Sequence, residues 1–269
     1  MDINQYRYYK GAWIFLEENK ETLLSKEESK QLLKKGGLMV RNIYDFDCKE
    51  ETPFWFVIKD KTEDISELPF SARRNIRRSL RFYDIRKISL EEFSEIAFPI
   101  ITSAQKSYKV KCHIINRKEF DEMIKRYENE ADKEFWVAER KDNKEIVAVS
   151  INRIKSDSCE YDDMKCKPEA LKDRTYPYYG LIYTMNRYYL EEKDKKYVSD
   201  GSRSVSEHSN IQEFLMHNFR FRKAYCKLHI FYKWWFFVVI KVLFPFRNMV
   251  ISNKTKAVLR MHEYFCNLQ

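Results

Sequence analysis

The side chains that could do nucleophilic or acid–base chemistry concentrate in one stretch, from Lys195 to Tyr225. This stretch contains five serines, two histidines, one aspartate and two glutamates. A serine nucleophile on a strained elbow requires the pattern Gly-x-Ser-x-Gly, because a Cβ atom has no room in that turn. The chain around Ser202 reads Asp-Gly-Ser-Arg-Ser and lacks the second glycine. His208 is close in sequence, whereas triad partners usually come from distant segments, so the sequence argues against a serine hydrolase.

Composition and charge limit the class of protein and of partner. The chain has 269 residues, of which 44% are hydrophobic and 34% charged, so we expect one large domain or two small ones with a packed core. The net charge of +9 indicates an anionic partner, and nucleic acid, phospholipid, nucleotide and other phosphorylated substrates all remain open. The six cysteines form no Cys-x-x-Cys pair, and residues 1–15 lack the apolar run of a secretory signal. We therefore expect a cytoplasmic protein without a disulfide framework or a metal site.

The elements that must position these side chains follow from hydrophobic periodicity. The second half of the chain reads as two helices, a hairpin, a third strand, a helix, a short strand, a helix and a long strand. Sheets of this kind bind ligands where strands part and a helix N-terminus faces the gap. The predicted helices are residues 12–35, 68–84, 90–108, 117–131, 178–196, 210–219 and 254–265, and the predicted strands are residues 38–46, 54–60, 85–89, 135–143, 144–157, 159–167, 197–201 and 221–232.

The predicted helix at residues 68–84 carries a strongly basic face. Ser71 is its predicted cap. Arginines at spacings of one and four residues group together, opposite an apolar face. Because the planar guanidinium suits phosphate, a polyanion or phosphate contact and a solvated surface are both open interpretations. The arginines are Arg73, Arg74, Arg77, Arg78 and Arg81, and the apolar residues are Ala72, Ile76, Leu80 and Tyr83.

An aromatic segment at residues 231–246 precedes the helical tail. It is shorter than the ~20 apolar residues that a membrane-spanning helix needs, and two lysines and a proline interrupt it. The two main interpretations are a helix packed on the domain and an interfacial helix. In the second interpretation, the aromatic rings would enter the headgroup region of a membrane. The residues expected to contact anionic lipid are Lys227, Lys233, Lys241 and Arg247.

Three stretches carry a family resemblance. They are ARRNIRRSL (72–80), the hairpin, strand and helix start over residues 147–181, and YVSDG (197–201) followed by IQEFLMHNFRF (211–221). Together they resemble the GNAT acyltransferases. More narrowly, they are similar to the Fem-type branch, which comprises the peptidoglycan cross-bridge aminoacyltransferases and their GNAT-like relatives in cell-surface polysaccharide synthesis. The resemblance covers roughly residues 70–232 and implies a bacterial transferase.

The resemblance implies a fold and a division of the chain. The expected fold class is α/β (α+β), with a GNAT-like mixed, mostly antiparallel sheet flanked by helices. An N-terminal partial subdomain and a C-terminal helical tail would complete it. We expect residues 1–88 to form the N-terminal subdomain, which resembles a degenerate acyltransferase half, residues 89–232 the acyltransferase domain, and residues 233–269 the aromatic and basic tail.

The resemblance leaves the acyl donor open. A standard GNAT enzyme cradles the pyrophosphate of acetyl-CoA with a glycine-rich loop ahead of its central helix. Residues 174–182 read RTYPYYGLI and contain one glycine, Gly180. Fem-type proteins also lack the full cradle, because their donor is aminoacyl-tRNA. Acetyl-CoA, another acyl-CoA and aminoacyl-tRNA are therefore the expected donors, and no metal is expected.

The resemblance also implies roles for particular residues. In such a transfer the enzyme removes a proton from the substrate amine, and we expect Asp200, Asp163 or His208 to do this. For Asp200 the alternative is a turn aspartate that caps nearby amides, and for His208 a solvated loop histidine. Asp162 and Asp163 alternate between strand faces, so at most one of them points into the cleft. The predicted binding residues are Tyr178, Tyr179, Gly180, Ser202, Arg203, Arg73 and Arg77.

These inferences lead to two hypotheses about function. The first is transfer of an acyl or aminoacyl group to an amine on a cell-envelope or surface-polysaccharide precursor, at the inner face of the membrane. The partners would be a phosphorylated or lipid-linked substrate, a donor such as aminoacyl-tRNA, and the membrane itself through residues 231–247. The second is a non-catalytic protein that binds RNA or a membrane surface on a GNAT-like scaffold, through the arginine face.

Overall fold

The computed structural model describes residues 6–9, 11–15, 24–108, 112–204 and 211–267. The chain groups into two compact units. The first comprises Met1–Phe56, Ser202–Ser209 and Lys223–Gln269, and the second comprises Val57–Gly201 and Asn210–Arg222. Each unit is therefore assembled from stretches that are not contiguous in sequence. The division at residues 88 and 232 stays a prediction.

The described residues form strands and helices in an alternating order. The strands are β1 (Tyr6–Tyr9), β2 (Ala12–Phe15), β3 (Met39–Cys48), β4 (Phe54–Lys59), β5 (Tyr83–Ile88), β6 (Lys133–Arg140), β7 (Ile146–Ile154), β8 (Ser158–Cys166), β9 (Tyr197–Ser202) and β10 (Arg222–Tyr232). The helices are α1 (Lys26–Lys34), α2 (Phe70–Phe82), α3 (Leu90–Ser107), α4 (Arg117–Tyr127), α5 (Pro168–Lys172), α6 (Pro177–Arg187), α7 (Ile211–Phe219), α8 (Trp234–Leu243) and α9 (Asn253–Cys266).

The second unit is built on an antiparallel meander. β5, β6, β7 and β8 pair in sequence order, each antiparallel to the next, and β9 joins β8 in parallel. A parallel neighbour requires a crossover connection, and α5 and α6 supply it. α3 and α4 pack on β6 and β7 around a core that includes Phe93, Phe120, Phe135 and Val149.

The first unit combines antiparallel and parallel pairing. β1 is antiparallel to β2, β2 is parallel to β3, and β3 is antiparallel to β10. α1 begins with a capping box, in which the Ser25 side chain accepts from the Glu28 N–H and the Glu28 carboxylate accepts from the Ser25 N–H. Leu32 and Val40 are fully buried in the core of this unit.

The predicted fold class is confirmed, because the described chain is a mixed α/β protein whose strand pairs are mostly antiparallel. Two local predictions are wrong. Residues 12–15 form β2 rather than helix because their aromatic and aliphatic side chains pair with β1, and α1 starts only after the Ser25 cap. Ser71 is not a cap, since α2 starts after Pro69 without a side-chain capping bond. Among the described residues, no helix is long and apolar enough to cross a membrane.

Candidate active site

The candidate site lies in the second unit, where β8 and β9 part. The two strands pair in parallel between Ser158–Glu160 and Tyr197–Ser199. β8 then continues along β7 and β9 continues to its own end, with no further β8–β9 pair among the described residues. In open sheets, ligands bind beyond the carboxyl ends of such strands. The residues that directly follow the last pair, Tyr161 and Asp200, therefore border the gap.

Asp200 is a half-buried acid at this border. Burial raises its pKa to about 7 from an ordinary value of 3.8, a hydrogen bond from Gln212 opposes the shift, and the negative charge of Glu160 adds to it. Among the described residues no cation pairs with Asp200, whereas Glu160 lies 3.0 Å from the Nζ atom of Lys155. Asp200 can therefore exchange a proton near neutral pH, as a general base or acid requires.

Gly201 shapes the backbone directly after Asp200. Its φ angle of +82° lies in the left-handed region that favours glycine, and its N–H donates to Ser199 Oγ over 2.9 Å. A Cβ atom at this position would lie 3.3 Å from Glu160 Oε1. The glycine thus permits both the turn and the close approach of the Glu160 carboxylate, whose charge contributes to the raised pKa of Asp200.

Two buried amide side chains on α7 hold the site together. Gln212 hydrogen-bonds the Asp200 carboxyl group. Asn218 Oδ1 accepts a hydrogen bond from the Tyr179 hydroxyl over 3.1 Å, and the Tyr179 ring packs edge-on against Phe214 at a centroid distance of 5.1 Å. α7 therefore positions both Asp200 and Tyr179. Neither amide was predicted from the sequence, where the only signal is that both are polar residues within a short apolar helix.

β8 carries a bulge at its two aspartates. Ile151 of β7 pairs with Asp163 and Asn152 pairs with Tyr161, so Asp162 is an extra residue on β8. Such bulges change the direction of neighbouring side chains and are common beside active sites. The simple alternation of faces predicted for Asp162 and Asp163 is therefore interrupted at this point.

Both aspartates of the bulge are ion-paired, Asp162 with Lys133 and Asp163 with Lys165. Asp163 is thus a weaker candidate base than Asp200, because its charge is already stabilised by a cation. Burial raises the pKa of Tyr178 well above its ordinary value, and the nearby charge of Asp163 contributes. Tyr178 is therefore a neutral phenol at neutral pH, able to donate a hydrogen bond.

Gly180 packs α6 against α2. Its N–H donates to Ser79 Oγ over 3.1 Å. A Cβ atom on Gly180 would lie 2.5 Å from the same oxygen, which is closer than real Cβ contacts. The glycine therefore serves a close helix–helix contact and its amide already donates a hydrogen bond, while its role in binding stays a prediction.

Ser202 and Arg203, two further predicted binding residues, fall in the first unit. The Arg203 N–H donates to the Trp55 carbonyl and its guanidinium donates to the Pro53 carbonyl, each over 2.7 Å. The guanidinium also lies 4.4 Å from the ring centroid of Tyr264. Arg203 is thus held by contacts within its own unit, and its role in binding stays a prediction.

The basic face predicted for α2 is present. Ala72 and Ile76 are fully buried, and Arg77 is among the exposed arginines of the opposite face. Arg73 is half-buried, donates to the Ser66 carbonyl over 3.1 Å, and covers the ring of Phe70. Arg77 is therefore available to an anionic partner, whereas Arg73 has an internal hydrogen bond. The other exposed arginines are Arg74, Arg78 and Arg81.

Other nucleophilic and metal chemistry has little support. His208 lies outside the described residues. Cys266 Sγ is 3.5 Å from His262 Nε2, but burial raises the pKa of the Cys266 thiol and lowers the pKa of His262, so the pair is neutral near pH 7. No cluster of three His, Cys, Asp or Glu in the described part of the chain could hold a metal ion.

A buried hydrogen-bond network lies under the strands of the second unit. The Tyr189 hydroxyl accepts from Trp136 Nε1 over 2.7 Å and from Asn152 Nδ2 over 3.1 Å, and donates to Glu134 over 2.9 Å. Fully satisfied networks of this kind rigidify a core, which helps to fix the strands that border the gap. The sequence reading did not predict it, because its members come from β6, β7 and the turn after α6.

Comparison with known proteins identifies the fold. No protein-family profile matches the sequence, and no curated protein matches it. The structure of FemX superposes with a TM-score of 0.51 at 11% identity, covering 81% of each chain. L-PGS from Bacillus licheniformis superposes with a TM-score of 0.51 at 12% identity, covering 88% of this chain and 83% of that chain.

A third similar structure is the C-terminal domain of a putative lysylphosphatidylglycerol synthetase from Agrobacterium fabrum, with a TM-score of 0.46 at 10% identity and coverage of 82% and 78% of the two chains. At such identities a likeness concerns the fold alone. The chain has the Fem-type GNAT-like fold. The resemblance carried by residues 72–80, 147–181 and 197–221 is thereby confirmed at the level of the fold.

Proposed function

We propose that this protein is a transferase that moves an acyl or aminoacyl group onto an amine of a cell-envelope component or surface-polysaccharide precursor. Asp200 is the observation that carries the proposal. It is a half-buried carboxyl group with a pKa of about 7, directly beyond the last β8–β9 pair. A general base works best when its pKa is near the operating pH, and burial gives Asp200 this property.

The proposed step is a nucleophilic acyl transfer. The lone pair of the substrate amine attacks the carbonyl carbon of the donor and forms the new C–N bond. The C–O bond of an aminoacyl ester, or the C–S bond of a thioester, breaks in turn. The ionised Asp200 carboxylate accepts the proton that the amine loses, and the protonated Asp200 can then deliver a proton to the leaving oxygen or sulfur.

Tyr178 and Tyr179, at the start of α6, are the proposed binding side chains. Tyr178 is a neutral phenol that can donate a hydrogen bond to the developing oxyanion of the donor. Tyr179 is oriented by Asn218 and by the rings of α7, and it would form part of the cleft wall. Asp163, the second candidate acid, is paired with Lys165 and would contribute mainly to the charge of the site.

Acyl-CoA and aminoacyl-tRNA are both chemically suitable donors, and two features favour aminoacyl-tRNA. The start of α6 has no glycine-rich loop, and the Gly180 amide already donates to Ser79. Both features weaken a pyrophosphate cradle of the acetyl-CoA type. A net charge of +9, with exposed arginines on α2, suits the phosphates of tRNA.

The proposed acceptor is an amine on an envelope precursor, handled at the inner face of the membrane. The fold is shared with FemX, and the Fem-type branch that the sequence resembles comprises the peptidoglycan cross-bridge aminoacyltransferases. All six cysteines are free thiols, which fits a reducing compartment. A transferase that used cytoplasmic donors and an envelope acceptor would work where the two meet.

The test is a transfer assay with the purified full-length chain. Labelled acetyl-CoA and aminoacyl-tRNA are each offered with amino-sugar and lipid-linked amine acceptors, and transfer of label to the acceptor is measured. We expect transfer by the natural chain and a large loss in the variant Asp200→Asn. The matched control is Asp163→Asn, which removes an ion-paired carboxylate on the neighbouring strand and should retain most of the activity.

Absence of transfer from any donor, together with absence of binding of either donor, would overturn the enzyme proposal. Equal activity in Asp200→Asn and the natural chain would overturn the assignment of the base but leave the transferase intact. The two failures are thus distinguishable.

A second candidate function is favoured by the exposed arginines of α2. A non-catalytic RNA binder would use Arg77 and its neighbours as phosphate contacts, and its binding would fall steeply with salt. RNA binding that is indifferent to acyl donor, unaffected by Asp200→Asn and weakened by the double variant Arg77→Gln/Arg81→Gln would support this candidate over the transferase.

A further inference from the structure

The C-terminal part of the first unit exposes one face of an apolar helix. On α8, Trp234, Val238 and Val242 are one turn apart and expose 80%, 53% and 62% of their surface. Trp235 and Val239 extend the same face. Ile240 is almost inaccessible, at 2%, and anchors the helix to its unit. α8 is therefore packed on its unit through Ile240, and its opposite face is exposed to solvent.

The apolar surface continues past the end of α8. Phe246, Met249 and Ile251 expose 57%, 78% and 92% of their surface. Soluble monomers rarely expose contiguous apolar patches of this kind unless the patch has a partner. We call the α8 face together with these three side chains, which follow it in the chain, the C-terminal apolar surface.

The Lys, Arg, Asp and Glu residues along this stretch of the chain have a single sign, and one of them, Arg247, is paired with Glu263 just beyond it. From Phe214 to His262 the chain contains no Asp or Glu, but ten Lys or Arg residues. A second copy of the chain would bring like charges together, whereas a surface of opposite charge would attract them. The six basic residues closest in sequence to the surface are Lys233, Lys241, Arg247, Lys254, Lys256 and Arg260.

The length of α8 determines how it could meet a membrane. It has ten residues, which corresponds to about 15 Å, or half the thickness of the hydrocarbon core. A short helix with Trp on its apolar side and lysines beside it lies in the plane of the interface. Lys241 fits this arrangement, because its Nζ atom lies 4.8 Å from the ring of Phe237 and its chain can extend along apolar surface.

A groove next to α8 has the same mixed character. Its volume is about 630 Å³, and its lining combines apolar rings with lysines. Trp234 and Lys241 belong to both the groove and α8. This lining is complementary to a phospholipid, because the apolar side chains can contact its acyl chains and the ammonium groups can contact its phosphate. Other lining residues include Lys26, Lys30, Leu33 and Phe265.

We propose that the C-terminal apolar surface docks onto an anionic lipid bilayer, with Trp234, Val238 and Val242 entering the headgroup and acyl boundary and the flanking lysines contacting lipid phosphates. Docking requires no acyl donor and no catalysis, so it stands or fails separately from the transferase activity. Docking would bring the proposed transferase activity close to acceptors that are linked to lipid.

The test is vesicle flotation of the full-length protein. Vesicles of phosphatidylcholine alone are compared with vesicles that contain one quarter phosphatidylglycerol, at 0.1 M salt. We expect the natural chain to float with the anionic vesicles and to bind the neutral ones at least about fivefold more weakly, the factor that one lysine near an anionic surface contributes. Val238→Ser/Val242→Ser should weaken binding by about tenfold or more. The matched control is Leu171→Ser, an exposed apolar side chain on α5 that should bind normally.

A second pair of variants separates charge from apolar contact. Lys241→Gln/Lys254→Gln should weaken binding to anionic vesicles by about 25-fold, about fivefold for each lysine, and leave binding to neutral vesicles unchanged. Lys118→Gln/Lys125→Gln removes two exposed lysines from α4 and should bind like the natural chain. Circular dichroism of each variant verifies that it is folded.

Three outcomes would overturn the proposal. The natural chain could fail to float with anionic vesicles, or the valine variant could float as well as the natural chain. Alternatively, sedimentation could reveal a dimer that Val238→Ser/Val242→Ser dissociates, which would make the surface an interface between two copies. Loss of transferase activity with intact flotation would count against the proposed function only.

Discussion

Asp200 and α8 break the usual rule of burial in opposite directions. At Asp200 an ionisable group is partly withdrawn from water without a cation beside it among the described residues, and its pKa rises to about 7. On α8, large apolar side chains such as Trp234 are exposed to water. Both arrangements are unfavourable for an isolated folded chain, so each indicates that this part of the chain has a binding partner. For Asp200 the proposed partner is a substrate that gives up a proton, and for α8 the proposed partner is an apolar surface.

The largest expected effect concerns activity at Asp200. Asp200→Asn removes the proton acceptor while keeping the shape, and we expect the rate of transfer to fall by about 10²–10⁴-fold. In the natural chain the rate should rise with pH through about 7, because only the ionised carboxylate accepts a proton. Rates measured between pH 5 and 9 check both statements. A pH profile that is flat across this range would contradict the assigned role.

The same substitution should have the opposite effect on stability. Because the pKa of Asp200 is raised from 3.8 to about 7, the folded state holds the proton more tightly than the unfolded chain. The free energy of unfolding therefore falls as pH rises from about 4 to 7, by up to about 4 kcal/mol, since one pKa unit corresponds to about 1.4 kcal/mol. Asn carries no such penalty.

Urea unfolding at pH 5 and pH 8 measures this effect. Asp200→Asn should gain stability relative to the natural chain, and the gain should be larger at pH 8. If the gain in the free energy of unfolding were equal at the two pH values, Asp200 would ionise with an ordinary pKa. Asp200 would then no longer be an exception to the usual rule of burial. Asp163→Asn is the control, because its ion pair with Lys165 should make the variant less stable at pH 8.

A smaller effect is expected at Gly180, in the packing that supports the site. Gly180→Ala places a methyl group 2.5 Å from Ser79 Oγ, so α2 and α6 must separate. Overpacking of this kind costs about 1–3 kcal/mol. The double variant Gly180→Ala/Ser79→Ala should recover part of that loss, and urea unfolding of both measures it. A Gly180→Ala variant as stable as the natural chain would contradict the close contact.

The smallest effect is expected on the exposed face of α8. Val238→Ser/Val242→Ser should change the free energy of unfolding by less than about 0.5 kcal/mol, because both side chains already contact water. Ile240→Ser on the buried side should cost about 2 kcal/mol or more. Thermal unfolding of both variants checks the contrast. Equal destabilisation by the two variants would mean that the valines are packed against the protein. The face of α8 would then no longer be an exception to the usual rule of burial.

Much of the fold was predictable because its signals are local. The alternation over residues 135–157 predicted the β6–β7 hairpin, and the spacing of arginines over residues 73–81 predicted the buried and exposed sides of α2. The prediction failed over residues 12–15, where pairing with β1 outweighs the helical pattern.

The site was less predictable than the fold because its chemistry comes from contacts that are distant in sequence. The Asp-Gly pair marked Asp200, but nothing local indicated that Gln212 and Glu160 would adjust its pKa. Gly180 was predicted to be a binding residue, and nothing local indicated that its amide donates to Ser79, about a hundred residues earlier. The bulge that separates Asp162 from Asp163 appears only once β7 and β8 are paired.

The sequence by itself determined most of the order of strands and helices after residue 38, the absence of a serine elbow and the run from Phe214 to His262 in which every Lys, Arg, Asp or Glu residue is basic. These follow from periodicity, short-range sterics and composition, which need no distant partner. Only the tertiary structure decided that Asp200 is half-buried with a raised pKa while Asp163 is ion-paired, and that one side of α8 is covered at Ile240 while the other stays exposed at Trp234. Burial and charge pairing depend on which elements pack together, and that is decided by the whole fold.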